Sequence, residues 1–297
     1  MTRATNLGIT GLNRILELEK RSVHPFLLNN TTMQPEAEDI HLFNLVIGGQ
    51  SDEALQQFLE SQIERNDMMI TLVEQFKLKT FSKFKMKDLC ELYNLPYLSD
   101  IPLSPFPRFE CQVEPVDENL LDDLVADLVS RLDVTPLSNA SEAHQTVYTY
   151  AILLAISKPT RGKVRVMIER YIEGFVAKGR VDYALETAEG EILGITEVKR
   201  QGYEAGIAQN AMQIRSAVEQ SQRRAIGGVA QRNHCFGIAT DAYTWYFLEY
   251  SMGGVPKVSD PYSLEYTLGE SILKQGLQQV VGIIKWLLLE GLKNPPA

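Results

Sequence analysis

The sequence predicts an α/β (α+β) protein in which a helical N-terminal region precedes a sheet-containing domain. Three observations carry the prediction. A long stretch after Ser51 repeats apolar residues at helical spacing. A proline-rich run at 98–115 interrupts regular structure. Downstream, an apolar helix is followed by short strand-like runs punctuated by tight-turn signals.

Taken in order, residues 1–50 contain one short amphipathic segment, LNRILELEK (12–20), and then the loop-like NNTTMQPE. From Ser51, a natural N-cap with acids behind it, Leu55, Phe58, Leu59, Ile63, Ile70 and Val73 mark one face of a long helix. A short helix ends before Pro96. Pro102, Pro105, Pro107 and Pro115 then deny the backbone both donors and helical freedom. The domain boundary is therefore expected at 115, giving an N-terminal region of residues 1–115 and a second domain of residues 116–297.

The second domain opens on an acidic amphipathic helix over 117–133, with Leu120, Leu121, Leu124, Leu128 and Leu132 on one face. SEAHQTVYTYAILLAIS (141–157) is too apolar for a surface helix and is expected to pack on a sheet. Strands are predicted at 164–176, 180–186 and 191–200, the last two joined by the turn TAEG (187–190). A helix over 206–225, strands at 234–240 and 243–250, and a closing helix over about 268–292 complete the order α-β-β-β-α-β-β-α.

Composition narrows the function classes. Hydrophobic residues make up 44% and charged residues 23% of the 297 positions, as in an average globular protein. The most apolar run, QQVVGIIKWLLLEGL (278–292), is broken by Lys285 and Glu290, so a core helix is expected and no membrane span. The first residues lack a secretory core and carry Glu17 and Glu19. With Cys90, Cys111 and Cys235 far apart, an intracellular protein with reduced thiols is expected. Neither a phosphate-binding glycine loop nor a nucleophile elbow is present, which removes the nucleotide-hydrolase and serine-hydrolase readings.

The net charge of −9 argues against a nucleic-acid partner until it is divided. Residues 1–140 hold 12 Lys+Arg against 22 Asp+Glu, whereas residues 141–297 hold 17 against 16. The acid load sits in residues 1–140 and leaves residues 141–297 nearly neutral.

GRVDYALETAEGEILGITEVKRQ (179–201) places charges inside strand-forming sequence. Residues two apart on a strand share a face, so Glu197 and Lys199 project together, and a hairpin turning at 187–190 brings Asp182 beside them. Leu193 and Ile195 share the face of Glu197, so that face is not simply solvated. Two carboxylates aimed at one point repel each other, but they suit a hard divalent cation. An adjacent lysine can hold a water or offset charge on a phosphorane-like transition state. Surface ion pairs on a half-exposed hairpin are the plainer reading.

The set Asp182, Glu197, Val198, Lys199 on two successive strands, followed by a helix carrying Gln209 and Gln213, resembles the PD-(D/E)XK nuclease superfamily over roughly residues 141–251. The resemblance implies a restriction-endonuclease-like αβββαβ core with a mixed central sheet flanked by helices. It implies Mg²⁺ (or Mn²⁺) held by Asp182 and Glu197 with the Val198 carbonyl, and Lys199 at the attacking water. Gln209 is the first candidate for the helix glutamine and Gln213 the second. Glu142 stands where many members carry a first-helix acid. Val181 replaces the proline of the family name. The expected activity is hydrolysis of nucleic acid, DNA ahead of RNA. A member that keeps the fold and only binds nucleic acid or protein is the alternative, and the intact charged set favours the enzyme.

KLKTFSKFKMK (77–87) interleaves five lysines with Phe81, Phe84 and Met86. A nucleic-acid contact through Lys83 and Lys85 competes there with a solvated face of an amphipathic element, which is the better supported of the two. Arg215, Arg223 and Arg224 are candidate phosphate contacts. His144 suits a cap or core role better than catalysis. The N-terminal region is open to a protein partner, and homo-oligomers are compatible with the sequence.

Overall fold

The computed structural model describes residues 78–96, 105–137, 141–200, 202–225 and 232–293. The expected helix after Ser51 and the segment 12–20 lie outside them. The elements are β1 (Lys79–Thr80), a 3-10 turn (Phe81–Lys83), α1 (Met86–Tyr93), α2 (Glu118–Val134) and α3 (Glu142–Ser157). Then follow β2 (Val164–Glu173), β3 (Ala177–Thr187), β4 (Ile192–Val198), α4 (Tyr203–Ala225), β5 (His234–Thr240) and β6 (Thr244–Ser251). Two short strands, β7 (Lys257–Val258) and β8 (Tyr262–Ser263), and the helix α5 (Glu270–Lys293) close the chain. The expected elements of the second domain are all present, with ends within a few residues of those read from periodicity.

The sheet is mixed. β2, β3 and β4 are successive antiparallel neighbours, β4 and β5 run parallel, and β5 and β6 form an antiparallel hairpin. The parallel pair requires a crossover, which α4 supplies. Helices cover both faces. On one, α4 lays Ile207, Ala208, Ala211, Met212 and Val218 against Ile195, Ala239, Leu248 and Tyr250. On the other, α2, α3 and α5 bring Leu128, Tyr148, Ile152, Leu277 and Ile284 onto Leu185, Val198, Ile238 and Phe247. All seven residues of β4 are buried, as expected of a central strand sandwiched between helices. The αβββαβ arrangement implied by the resemblance is therefore in place.

The expected boundary at 115 is corrected. The compact unit that holds the sheet spans Lys77–Ala297. β1 pairs in parallel with the start of β3, and Phe81, Phe84, Met86, Leu89 and Cys90 are buried in the same cluster as α4. From Pro105 to Pro115 the proline-rich segment is packed and does not act as a linker. Pro107 and Phe109 exchange backbone hydrogen bonds with Val258, and Phe109 stacks on Trp286 at 5.8 Å. Proline forbids a helix there, yet an extended strap can still bury its side chains. Gly282 permits the strap's approach: a methyl group in its place would meet Val113 at 2.6 Å and the Glu114 carbonyl at 2.7 Å.

The β3–β4 hairpin departs from a regular ladder. Glu186 pairs with Ile192 and Leu185 with Gly194, so Leu193 is an extra residue on β4. Leu193 consequently joins the core on the α5 side, whereas Ile195 joins the α4 side. The expectation that both share the face of Glu197 fails because the bulge breaks the two-residue period. The turn closes where Gly190 takes a φ of +82°, with its amide on the Thr187 carbonyl at 3.0 Å.

Candidate active site

The register of the hairpin brings the charged residues together. Tyr183 pairs with Thr196, and one step further along the antiparallel register sets Asp182 opposite Glu197. Asp182 Oδ2 accepts a hydrogen bond from the Val198 amide at 2.7 Å, which locks that carboxylate onto the end of β4. Its second oxygen, Oδ1, receives no donor among the described residues.

Glu197 is 1% exposed and has both oxygens engaged. Lys199 Nζ lies 2.8 Å from Oε1, and Gln213 Nε2 donates to Oε2 at 2.6 Å. Lys199 Nζ also reaches Glu142 Oε1 at 3.3 Å. Glu142 owes its place to the start of α3. Ser141 N donates to His144 Nδ1 at 3.3 Å, closing the helix end, and Tyr183 OH donates to the Thr146 carbonyl at 2.8 Å, docking that turn onto β3. His144 thus acts as a cap.

Electrostatics at this point are unfavourable in a directed way. Burial pushes the Glu197 carboxyl up to about 7, and the Asp182 charge adds to the rise while Lys199 and Gln213 oppose it. Burial also raises Asp182, with the Val198 amide and Lys199 pulling the other way and Glu142 and Glu169 adding to the rise. For Lys199, burial favours the neutral amine, but Glu197, Glu142 and Asp182 together outweigh it and hold the ammonium above its usual range. Lys199 is therefore a cation at neutral pH and carries no free base.

Two further residues contribute. Asn210 is fully buried, and its Nδ2 donates both to the Ile195 carbonyl at 3.1 Å and to Gln213 Oε1 at 3.3 Å. Only the amide nitrogen can face a carbonyl, so Ile195 fixes the orientation of Asn210. Asn210 in turn fixes Gln213, whose nitrogen is left for Glu197. Polar residues on the buried face of α4 (Asn210, Gln213, Ser216, Glu219) were a readable sign. The second contributor is Glu169, which sits across β2–β3 from Asp182 with a φ of +50°. Arg180 Nη1 reaches its carbonyl at 3.3 Å and its carboxylate at 3.4 Å. A non-glycine residue in that region costs roughly 1 kcal/mol or more, and the strained position borders the site.

The structure distinguishes between the two glutamines. Gln213 holds Glu197, whereas Gln209, buried one turn earlier, makes no hydrogen bond to the carboxylates among the described residues. Arg215 is not poised for phosphate. It donates from Nε to Glu219 Oε1 at 2.7 Å and lies over the Tyr93 ring, tying α1 to α4. Arg223 reaches the Gly174 carbonyl at 2.9 Å and the Phe175 ring. In the lysine-rich segment Phe81 and Phe84 are buried while Lys83 and Lys85 face solvent, so the aromatics are closed to stacking. The solvated-face reading describes that segment.

Among the described residues no group of three or more His, Cys, Asp or Glu is placed to hold a metal ion. A cation here would rest on the two carboxylates of Asp182 and Glu197, with a carbonyl and water completing its shell, which is how Mg²⁺ is commonly held. Also among the described residues, no helix is long and apolar enough to cross a membrane.

No family model matches the chain. A curated protein of Rhizophagus irregularis, Crinkler effector protein 1, is 32% identical over 257 residues, covering 83% of this chain. The chain spans about half of that protein's length, 54%. Among solved structures, the DrdV–DNA complex shares 13% identity over 55% of this chain and 13% of its own, with a TM-score of 0.32. A putative nuclease belonging to DUF820 from Anabaena variabilis ATCC 29413 shares 12% identity over 55% of this chain and 85% of its own, with a TM-score of 0.24.

Proposed function

We propose that residues 77–297 form a Mg²⁺- or Mn²⁺-dependent nuclease of the PD-(D/E)XK type, acting on DNA ahead of RNA. The observation that carries this reading is the meeting of Asp182, Glu197 and Lys199 at adjoining ends of β3 and β4, with Lys199 Nζ 2.8 Å from Glu197 Oε1. A buried pair of carboxylates held above their ordinary range is a poor structural device, because it costs stability at neutral pH. A divalent cation between them would convert that cost into affinity.

The donor set fits such an ion. Asp182 Oδ1 is open, the carboxylate oxygens are hard ligands, and the Val198 carbonyl belongs to the same strand end. When bound, the cation supplies positive charge to the phosphate and acidifies water. The remaining work belongs to the chain itself. Lys199, kept protonated by Glu197 and Glu142, donates hydrogen bonds to a water or to a phosphate oxygen gathering negative charge. Gln213 holds Glu197 in one orientation, and the Val198 amide does the same for Asp182. Helices on both faces of β4 exclude bulk solvent from Glu197, which strengthens each of these interactions.

The test is incubation of purified protein with labelled single- and double-stranded DNA and RNA, with Mg²⁺ or Mn²⁺ and with chelator. Cleavage is expected only with metal and should vanish in Asp182→Ala and Lys199→Ala. Cleavage that survives both substitutions removes the site assignment. Binding without cleavage by the native protein replaces the enzyme with a binding module.

A further inference from the structure

Tyr203 and Tyr246 form a stacked pair, ring centroids 5.8 Å apart and planes inclined by 23°, at the start of α4. Most aromatic pairs of this domain fill the core, but Tyr203 is 45% exposed. Sheet register locates the pair. Glu197 pairs with Ala239 on β5, and Ala239 pairs with Tyr246 on β6. Paired residues share a face, and neighbouring strands lie about 4.8 Å apart, so the Tyr246 backbone is about 10 Å from that of Glu197 on the same side of the sheet. Gly206, one turn after Tyr203, fills the interval. A methyl group there would touch Lys199 Cβ at 3.5 Å and Ala239 Cβ at 3.7 Å. The aromatic pair therefore stands next to Lys199, separated from it by the first turn of α4.

We propose that Tyr203, backed by Tyr246, is a base-stacking platform, and that the substrate at the neighbouring carboxylates is single-stranded nucleic acid. The proposal rests on the nuclease reading and gives it a substrate class. The faces of bases within a duplex are covered by their neighbours, so a protein ring can stack only on an unpaired, terminal or extruded base. A solvated tyrosine that merely shields Tyr246 is the plainer role. It accounts for the half-burial of Tyr246, but it gives no reason for placing the exposed ring on the same helical turn that packs against Lys199.

The experiment measures fluorescence anisotropy of a labelled 12-nucleotide oligo-dT and of a 12-bp duplex whose terminal base pairs are covered by stacked aromatic end-caps, in chelator so that turnover contributes nothing. Tyr203→Ala is expected to weaken oligo-dT binding at least about fivefold, the lower end of what one stacked base contributes. Tyr203→Trp should retain native affinity, and duplex binding should be unchanged in both variants. Tyr203 is exposed, so coincident thermal melts are expected and confirm that folding is intact. Native oligo-dT affinity in Tyr203→Ala overturns the platform, as does an equal loss on duplex, and either result leaves the nuclease reading standing. Failure of the native protein to bind any nucleic acid overturns both.

Discussion

Asp182→Asn should stabilise the metal-free protein at neutral pH while abolishing cleavage. The substitution preserves shape, and the Asn oxygen can still accept from the Val198 amide as Oδ2 does. It removes the charge that helps push Glu197 from an ordinary 4.5 to about 7. At about 1.4 kcal/mol per pH unit, that rise bounds the cost of ionising Glu197 at roughly 3 to 4 kcal/mol. Burial is the larger cause and Asp182 the second. Relief of the smaller share, together with the raised cost of Asp182 itself, gives an expected gain of about 1 to 3 kcal/mol. The sign follows from linkage. Both carboxyls are raised in the folded state, so folding loses stability as pH climbs from the ordinary carboxylate range towards and past 7. Urea titrations in chelator should therefore show the variant and native protein alike near pH 4 and diverging in the variant's favour up to pH 8. Millimolar Mg²⁺ should then raise the native protein and leave the variant unmoved. A variant less stable than native at pH 8, or a gain that ignores pH, would refute the picture of two opposed carboxylates.

Three further outcomes follow from the same geometry. Gly237→Ala would drive a methyl group into Asn210 Oδ1, and it should lower cleavage through Gln213 and cost about 1–3 kcal/mol in a urea titration. Arg215→Met leaves Glu219 buried without its cation, and a loss of about 3 kcal/mol or more is expected with unchanged oligonucleotide affinity at a temperature where the variant is folded. Lys199→Arg should keep part of the cleavage that Lys199→Met loses, because the site uses a cation there; equal inactivity of both would point to proton transfer by the lysine.

The fold of the second domain was legible because its elements carry strong local signals, above all the apolar run of α3 and the TAEG turn between β3 and β4. The hairpin charges were legible for the same reason, since carboxylates are rare in buried strands. Three things were hidden. Pro102 to Pro115 read as a linker because proline excludes helix, but extended backbone can pack, and Phe106 and Phe109 do so. Choosing between Gln209 and Gln213 needed the rotation of α4 about its axis, which spacing alone leaves open. Arg215 resembled a phosphate contact because its partners, Tyr93 and Glu219, are a distant residue and a same-helix neighbour whose burial no sequence pattern reveals.

The extra residue at Leu193 has a consequence for how this hairpin can vary. Surface turns usually accept insertions and deletions at little cost. Here the bulge is slack in β4. Leu193 has no partner on β3, so without it Ile192 opposite Glu186, Gly194 opposite Leu185 and Glu197 opposite Asp182 form a regular ladder. What such a deletion loses is the Leu193 side chain from the core on the α5 side, together with the bend that the bulge imposes. A residue added within β4 has no such slack: it would turn Glu197 towards α5 or slide β4 past β5. The strand should therefore accept a one-residue shortening before Glu197 more readily than a one-residue lengthening.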